Sequence, residues 1–255
     1  MVAPVFSGVG VALVTLFDDS GDVDAPATAD LASRLVEAGV HAVVVAGTTG
    51  EAASLAPEER IRLVEAVRAA VPADVPVVAG TGAPSARQAA SLTRDAVDHG
   101  ADALLVLSPP GAADPRPYYE AVASVAAGRV LLAYHYPKVS APGIDVAVLP
   151  DLPVAGIKDS TGDPERLLEE LEVWDRPVYT GSSAVLSFAG PLGCAGAILA
   201  LANAEPERCV RALAGDPSAQ RELTATHLAA KRRFPGGLKE LVARRFGTSC
   251  ACRMG

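Results

Sequence analysis

Lys158 stands directly after the apolar run "PVAGI" and directly before Asp159, Ser160 and Thr161, within "VAGIKDSTGD". A lysine at the end of a buried strand loses the water around its ammonium and releases its proton more readily. As a free amine it can attack a ketone. The competing reading is an exposed lysine paired with Asp159, and the strand-end placement favours the nucleophile. Three further stretches could serve such an amine. "GTTGE", Gly47 to Glu51, brings the hydroxyls of Thr48 and Thr49 and adjacent backbone N–H groups into a glycine-flanked turn, donors suited to a small carboxylate. It lacks the glycine spacing and the Lys-Ser/Thr of a phosphate-binding Walker loop. "YHYPK" carries Tyr134, whose phenol can pass a proton to or from an amine, or else packs half-buried. "TGSS", with Gly181 and Ser182, and "GTGA" from Gly80 allow close backbone approach. His41 and His135 read as packed or capped, and the sequence shows no zinc or magnesium ligand cluster.

These residues need a scaffold that gathers strand ends. Short aliphatic runs alternate with Ala-rich and charged helical segments, the signal of repeated βα units on a parallel sheet. Eight strand candidates emerge: Gly10 to Thr15, His41 to Gly47, Val75 to Gly80, Ala101 to Ser108, Arg129 to Tyr134, Pro153 to Lys158, Pro177 to Gly181 and Cys194 to Leu199. Helices are predicted over 25–38, 57–70, 85–99, 115–126, 164–171, 184–190 and 206–214, with only a stub at 145–149. "APEER" and "GDPER" place Pro and then acids in a first turn, where a missing N–H and the helix dipole favour them. The expected fold is α/β: a (β/α)8 TIM barrel over residues 1–215, with a short C-terminal helical extension over 216–255 in the same structural unit. In such barrels the working residues stand at the C-terminal strand ends. Lys158, Tyr134 and the Thr48–Thr49 turn all fall there.

Half of the residues are hydrophobic and only 4% aromatic, a mixture that suits helices packed on buried strands. The net charge of −8, with acids and bases interspersed, argues against a nucleic-acid surface. "KRRF" at Lys231 to Phe234 reads as a solvated helix end. Neither a signal peptide nor a membrane helix is recognisable, which predicts a cytoplasmic protein that needs no membrane. Cys194, Cys209, Cys250 and Cys252 are expected to be free thiols.

"GTTGE", "Y-x-x-P" at Tyr134 to Pro137, "GIKDSTGD", "TGSS" and "GAILALAN", in this order, resemble the dihydrodipicolinate synthase and N-acetylneuraminate lyase family of pyruvate aldolases. The likeness runs from "GVALVTLFDDSGDVD" to "GGLKELVARRFG". It implies a (β/α)8 barrel with C-terminal helices, assembled as a homodimer or homotetramer. It also implies that Lys158 forms a Schiff base with pyruvate or another 2-oxo acid, and that Tyr134 and Thr49 relay protons. Thr48 and Thr49 would hold the keto-acid carboxylate. Gly181 and Ile198 would line the site with backbone groups, and Ser182 would meet hydroxyls of longer substrates. The protonated imine serves as the electron sink, so no metal or organic cofactor is implied. The partner would be an aldehyde or a sugar acid.

The chain also departs from that pattern. Where the synthases carry a pair of tyrosines after strand four, this sequence has Pro110 and Gly111, and where they carry an acceptor-gripping arginine it has Lys138 and Val139. It ends soon after the helix holding Lys239, an arrangement expected to leave a tetramer interface incomplete. The expected activity is a lyase or synthase of this family that serves poorly as a synthase for aspartate semialdehyde. A sugar-acid aldolase or dehydratase, or a keto-acid-binding pseudoenzyme, are the alternatives.

Overall fold

The computed structural model describes residues 2–254. Eight parallel strands close into one barrel in sequence order: β1 Gly8–Ala12, β2 Ala42–Val45, β3 Val77–Gly80, β4 Ala103–Leu107, β5 Val130–His135, β6 Gly156–Asp159, β7 Val178–Thr180 and β8 Gly196–Leu199. The connecting helices are α1 Ala25–Glu37, α2 Pro57–Ala70, α3 Ala86–Asp98, α4 Arg116–Ala123, α5 Pro164–Val173, α6 Leu186–Ala189 and α7 Pro206–Leu213. Between β5 and β6 the crossover contains only a 3-10 stretch, Val146–Asp151, with Pro150 inside it, close to the expected stub. Helix starts follow the sequence chemistry. Asp24, Ser85, Asp163 and Asp216 each accept a first-turn N–H, and Pro57, Pro164, Pro206 and Pro217 open their helices.

Side chains alternate along each strand, so one parity fills the barrel and the other meets the helices. Val44, Val78, Leu105, Leu132, Tyr134, Tyr179 and Ile198 pack inside. Val43, Val77, Leu104, Leu131 and Ile157 pack outside against the helical shell. Phe6 fills one end of the barrel. Its ring lies 4.9 Å from that of Tyr179, whose hydroxyl donates to the Phe6 carbonyl at 2.9 Å. Gly10 makes room for it, because a Cβ there would lie 2.7 Å from the ring.

The first strand differs from its expected Gly10 to Thr15. It starts two residues earlier and ends at Ala12. The Asn203 side chain explains the stop: its amide donates to Ala12 O at 2.7 Å and its carbonyl accepts Val14 N–H at 3.0 Å. A side-chain amide thus replaces the ladder.

Beyond α7, helices α8 Pro217–Arg232 and α9 Gly236–Phe246 pack onto the barrel shell, with Leu223, Leu238 and Val242 fully buried in its main core. Lys239 of α9 is also fully buried. Its Nζ lies 2.6 Å from Glu51 Oε1, donates to Ala251 O at 2.7 Å and stands 4.2 Å from the centroid of the Phe17 ring. The other oxygen of Glu51 accepts the N–H groups of Arg253 and Met254 at 2.8 and 2.7 Å. Arg253 grips both carboxylate oxygens of Glu59 at 2.7 and 2.8 Å. The segment after α9 is thereby tied across the region that follows β2. No helix among the described residues is long and apolar enough to cross a membrane.

Candidate active site

Strand parity sends Lys158 into the barrel and Asp159 out of it. Tyr134 is the register neighbour of Lys158 on β5, and the two side chains meet, with Nζ 4.3 Å from the phenol ring centroid. Lys158 is 5% exposed, and among the described residues no carboxylate lies within ion-pair distance of it. Asp159 faces the shell, where Arg166 Nε reaches it at 2.6 Å and Thr161 N–H donates to it at 2.6 Å. The exposed Lys158–Asp159 pair is therefore not formed. Burial strips the ammonium of water with no counter-charge in return, and it lowers the Lys158 pKa from 10.5 to about 7.

Tyr134 is buried as well, which raises its pKa, while the hydroxyls of Ser160 and Thr48 pull it in the opposite direction. Ser160 Oγ lies 3.4 Å from the phenol oxygen. Thr48 and Thr49 occupy a 3-10 turn, Thr48–Gly50, bracketed by Ala46 and Glu51 with φ of 51° and 58°. Two non-glycine residues in the left-handed region within six positions require strong support from outside the turn. Glu51 receives it from Lys239, Arg253 and Met254, and Thr15 Oγ1 donates to Gly50 O at 2.7 Å. On the opposite wall Gly181 has no room for a side chain, since a Cβ would meet Ser160 Oγ at 1.9 Å.

Thr48, Thr49, Tyr134, Lys158, Gly181, Ser182 and Ile198 line one cavity of about 460 Å³ at the C-terminal end of the barrel. All seven residues singled out in the sequence are thus brought together. Lys138 also lines this cavity, whereas Val139 and Pro110 face a neighbouring one of about 720 Å³. Sequence reasoning missed Ser160, Ser183 and the wall supplied by α8, where His227, Ala230 and Lys231 look into the cavity with Phe234 beyond the helix end. The i, i+3, i+4, i+7 spacing of these four was a usable signal. "KRRF" is the solvated helix end expected, all four residues being exposed, and its first and last residues also form part of the wall. His135 is buried and His41 is exposed, and each caps a backbone N–H, their Nδ1 atoms accepting Ile144 and Val9 N–H respectively. No three histidine, cysteine, aspartate or glutamate side chains converge on a metal-sized site among the described residues.

Comparison with known proteins points the same way. The chain is 37% identical over 213 residues to an uncharacterized DapA-like lyase of Halobacterium salinarum, covering 80% of this chain and 69% of that protein. It is 37% identical over 238 residues to the 4-hydroxy-tetrahydrodipicolinate synthase of Natronomonas pharaonis, covering 88% and 80% respectively. Among solved structures, YagE of E. coli K12, a prophage protein of the dihydrodipicolinic acid synthase family in complex with pyruvate, superposes with a TM-score of 0.91. The identity is 25%, over 98% of this chain and 92% of that one. The chloride-inhibited dihydrodipicolinate synthase of Acinetobacter baumannii, also complexed with pyruvate, gives a TM-score of 0.90 at 27% identity and the same coverage. The sequence model of the dihydrodipicolinate synthetase family matches residues 5–227, and this chain belongs to that family.

Proposed function

We propose that the protein is a Schiff-base lyase or synthase that activates pyruvate or a closely related 2-oxo acid for aldol addition or cleavage. The observation that carries this reading is a buried lysine without a counter-ion at a strand end, its pKa near 7, so that much of it is free amine at neutral pH. Nζ adds to the C2 carbonyl, and loss of water gives the protonated imine. That imine accepts the electron pair left at C3 when a proton departs or a C–C bond breaks, and hydrolysis returns the amine. Tyr134 and Thr49 carry the protons of carbinolamine formation and collapse, with Ser160 and Thr48 near the phenol. The Thr48–Thr49 turn receives the keto-acid carboxylate. Gly181, Ser182 and Ile198 shape the opposite wall. In this reading the C-terminal helical extension that starts at residue 216 belongs to the same unit as the barrel, since α8 forms one wall of the cavity.

The test is borohydride reduction in the presence of pyruvate, read by intact mass and peptide mapping. One adduct at Lys158 is expected. Lys158→Arg should abolish it, because a guanidinium stays protonated and forms no imine. An adduct that persists in Lys158→Arg removes the proposal.

A further inference from the structure

We propose that Cys250 and Cys252 form a reversible thiol–disulfide site, and that joining them releases the brace on the Glu51 carboxylate. Both are free thiols in this structure, Cys250 exposed and Cys252 half-buried. Cys209 is fully buried and burial pushes the Cys194 thiol up to about 12, so neither competes for a small oxidant. Cys252 Sγ folds back toward its neighbour and donates to the Cys250 carbonyl at 3.5 Å. The residue between the two is Ala251, whose carbonyl accepts from Lys239 Nζ at 2.7 Å. Arg253 and Met254, which follow, give their N–H groups to Glu51. The backbone groups that the tail gives to Lys239 and Glu51 thus lie between the cysteines or within two residues of the second. Glu51 in turn closes the Thr48–Gly50 turn in the left-handed conformation.

The oxidant is a small-molecule disulfide such as oxidised glutathione. The exposed Cys250 thiolate attacks one of its sulfurs and expels a thiolate, and the Cys252 thiolate then attacks Cys250 Sγ and expels the second. One S–S bond forms in the protein and one breaks in the reagent. Two electrons leave with the two small thiols, which also take up the two protons. Burial raises the Cys252 pKa, against Lys239 and together with Glu51, Cys250 and Glu240, so ring closure is the slower step. A ring closed over one residue holds the two Cβ atoms about 3.5–4.5 Å apart. Ala251 must then give up the conformation that aims its carbonyl at Lys239, and the segment that feeds Glu51 moves with it. So short a loop returns little chain entropy, and its strained bond is readily reduced, as a regulatory disulfide requires.

The experiment incubates the reduced protein with oxidised glutathione and reads intact mass, the thermal midpoint and the pyruvate concentration that half-saturates borohydride trapping. We expect a loss of two hydrogens, mapped to the peptide holding Cys250 and Cys252 and reversed by dithiothreitol. The midpoint should fall by about 2–8 °C, and half-saturating pyruvate should rise about fivefold or more. Reduced Cys250→Ser should match reduced wild type, and the same treatment should leave its midpoint and half-saturation where they were. An unchanged mass, a glutathione adduct that never closes to a ring, or a disulfide formed elsewhere overturns the proposal. So does a Cys250–Cys252 disulfide that leaves the midpoint or the half-saturation unchanged, or a midpoint drop that persists in Cys250→Ser. The pyruvate readout rests on the function proposed above. Where the reduced wild type traps no pyruvate, that reading fails by itself, and mass and midpoint still decide the thiol site.

Discussion

Two lysines lie buried in this molecule, each with its Nζ little more than 4 Å from an aromatic centroid, yet they are different chemical objects. Lys239, over Phe17, has the carboxylate of Glu51 at 2.6 Å and a carbonyl at 2.7 Å. Lys158, over Tyr134, has neither, and its pKa falls to about 7. Burial alone does not decide what a lysine does. The partner decides: with a carboxylate the residue is a structural cation, and without one it sheds its proton near neutral pH.

The contrast can be broken by substituting each lysine with methionine. Lowering the Lys158 pKa from 10.5 to about 7 corresponds to a penalty on the order of 5 kcal/mol on the charged form. Below pH 7 the amine is protonated in both folded and unfolded chains, and the folded state bears the whole penalty. Between pH 7 and 10.5 only the unfolded chain keeps the proton, so wild-type stability rises with pH, and above 10.5 the penalty is gone. Lys158→Met should therefore be more stable than wild type at pH 6, by an advantage that shrinks from pH 7 upward. Denaturant unfolding at several pH values measures it, and a pH-independent difference would mean that Lys158 is not desolvated.

Lys239→Met should act with the opposite sign. It leaves Glu51 buried without its counter-ion and should cost about 3–5 kcal/mol, with part of the loss recovered when Glu51→Gln is added. A loss below about 1 kcal/mol at pH 7 would erase the distinction between the two lysines. The smallest expected effect sharpens it: Phe17→Leu removes the ring under Lys239 and should cost about 1–2 kcal/mol in thermal unfolding, from lost packing and the cation–π contact together. A cost as large as that of Lys239→Met would assign the stability to the ring rather than to the carboxylate.

The barrel was legible because its signals are local. Apolar runs with turn residues between them set the strands, and parity along β6 sends Lys158 inward. The end of β1 was not legible, because the amide that terminates it belongs to Asn203, some 190 positions downstream. The cluster of Thr48, Thr49, Tyr134 and Lys158 followed from strand ends. The α8 wall did not, since which face of that helix meets the cavity depends on how it packs against the shell. Glu51 was visible inside "GTTGE", but nothing local showed that its carboxylate would be answered by Lys239 and by the backbone at Arg253 and Met254.

That distant answer imposes an order in time. Every group that holds the Glu51 carboxylate lies beyond residue 238, and the contact with Arg253 spans 202 positions. At a synthesis rate of about 5–20 residues per second, roughly 10 to 40 seconds separate the emergence of Glu51 from that of its last partners. During that interval most of the barrel has left the ribosome while the Thr48–Gly50 turn has Thr15 at Gly50 O but no partner for the Glu51 carboxylate. The turn is among the first functional elements to be translated and among the last to be completed, so a nascent chain can build the strand that presents Lys158 before it owns a finished cradle opposite it.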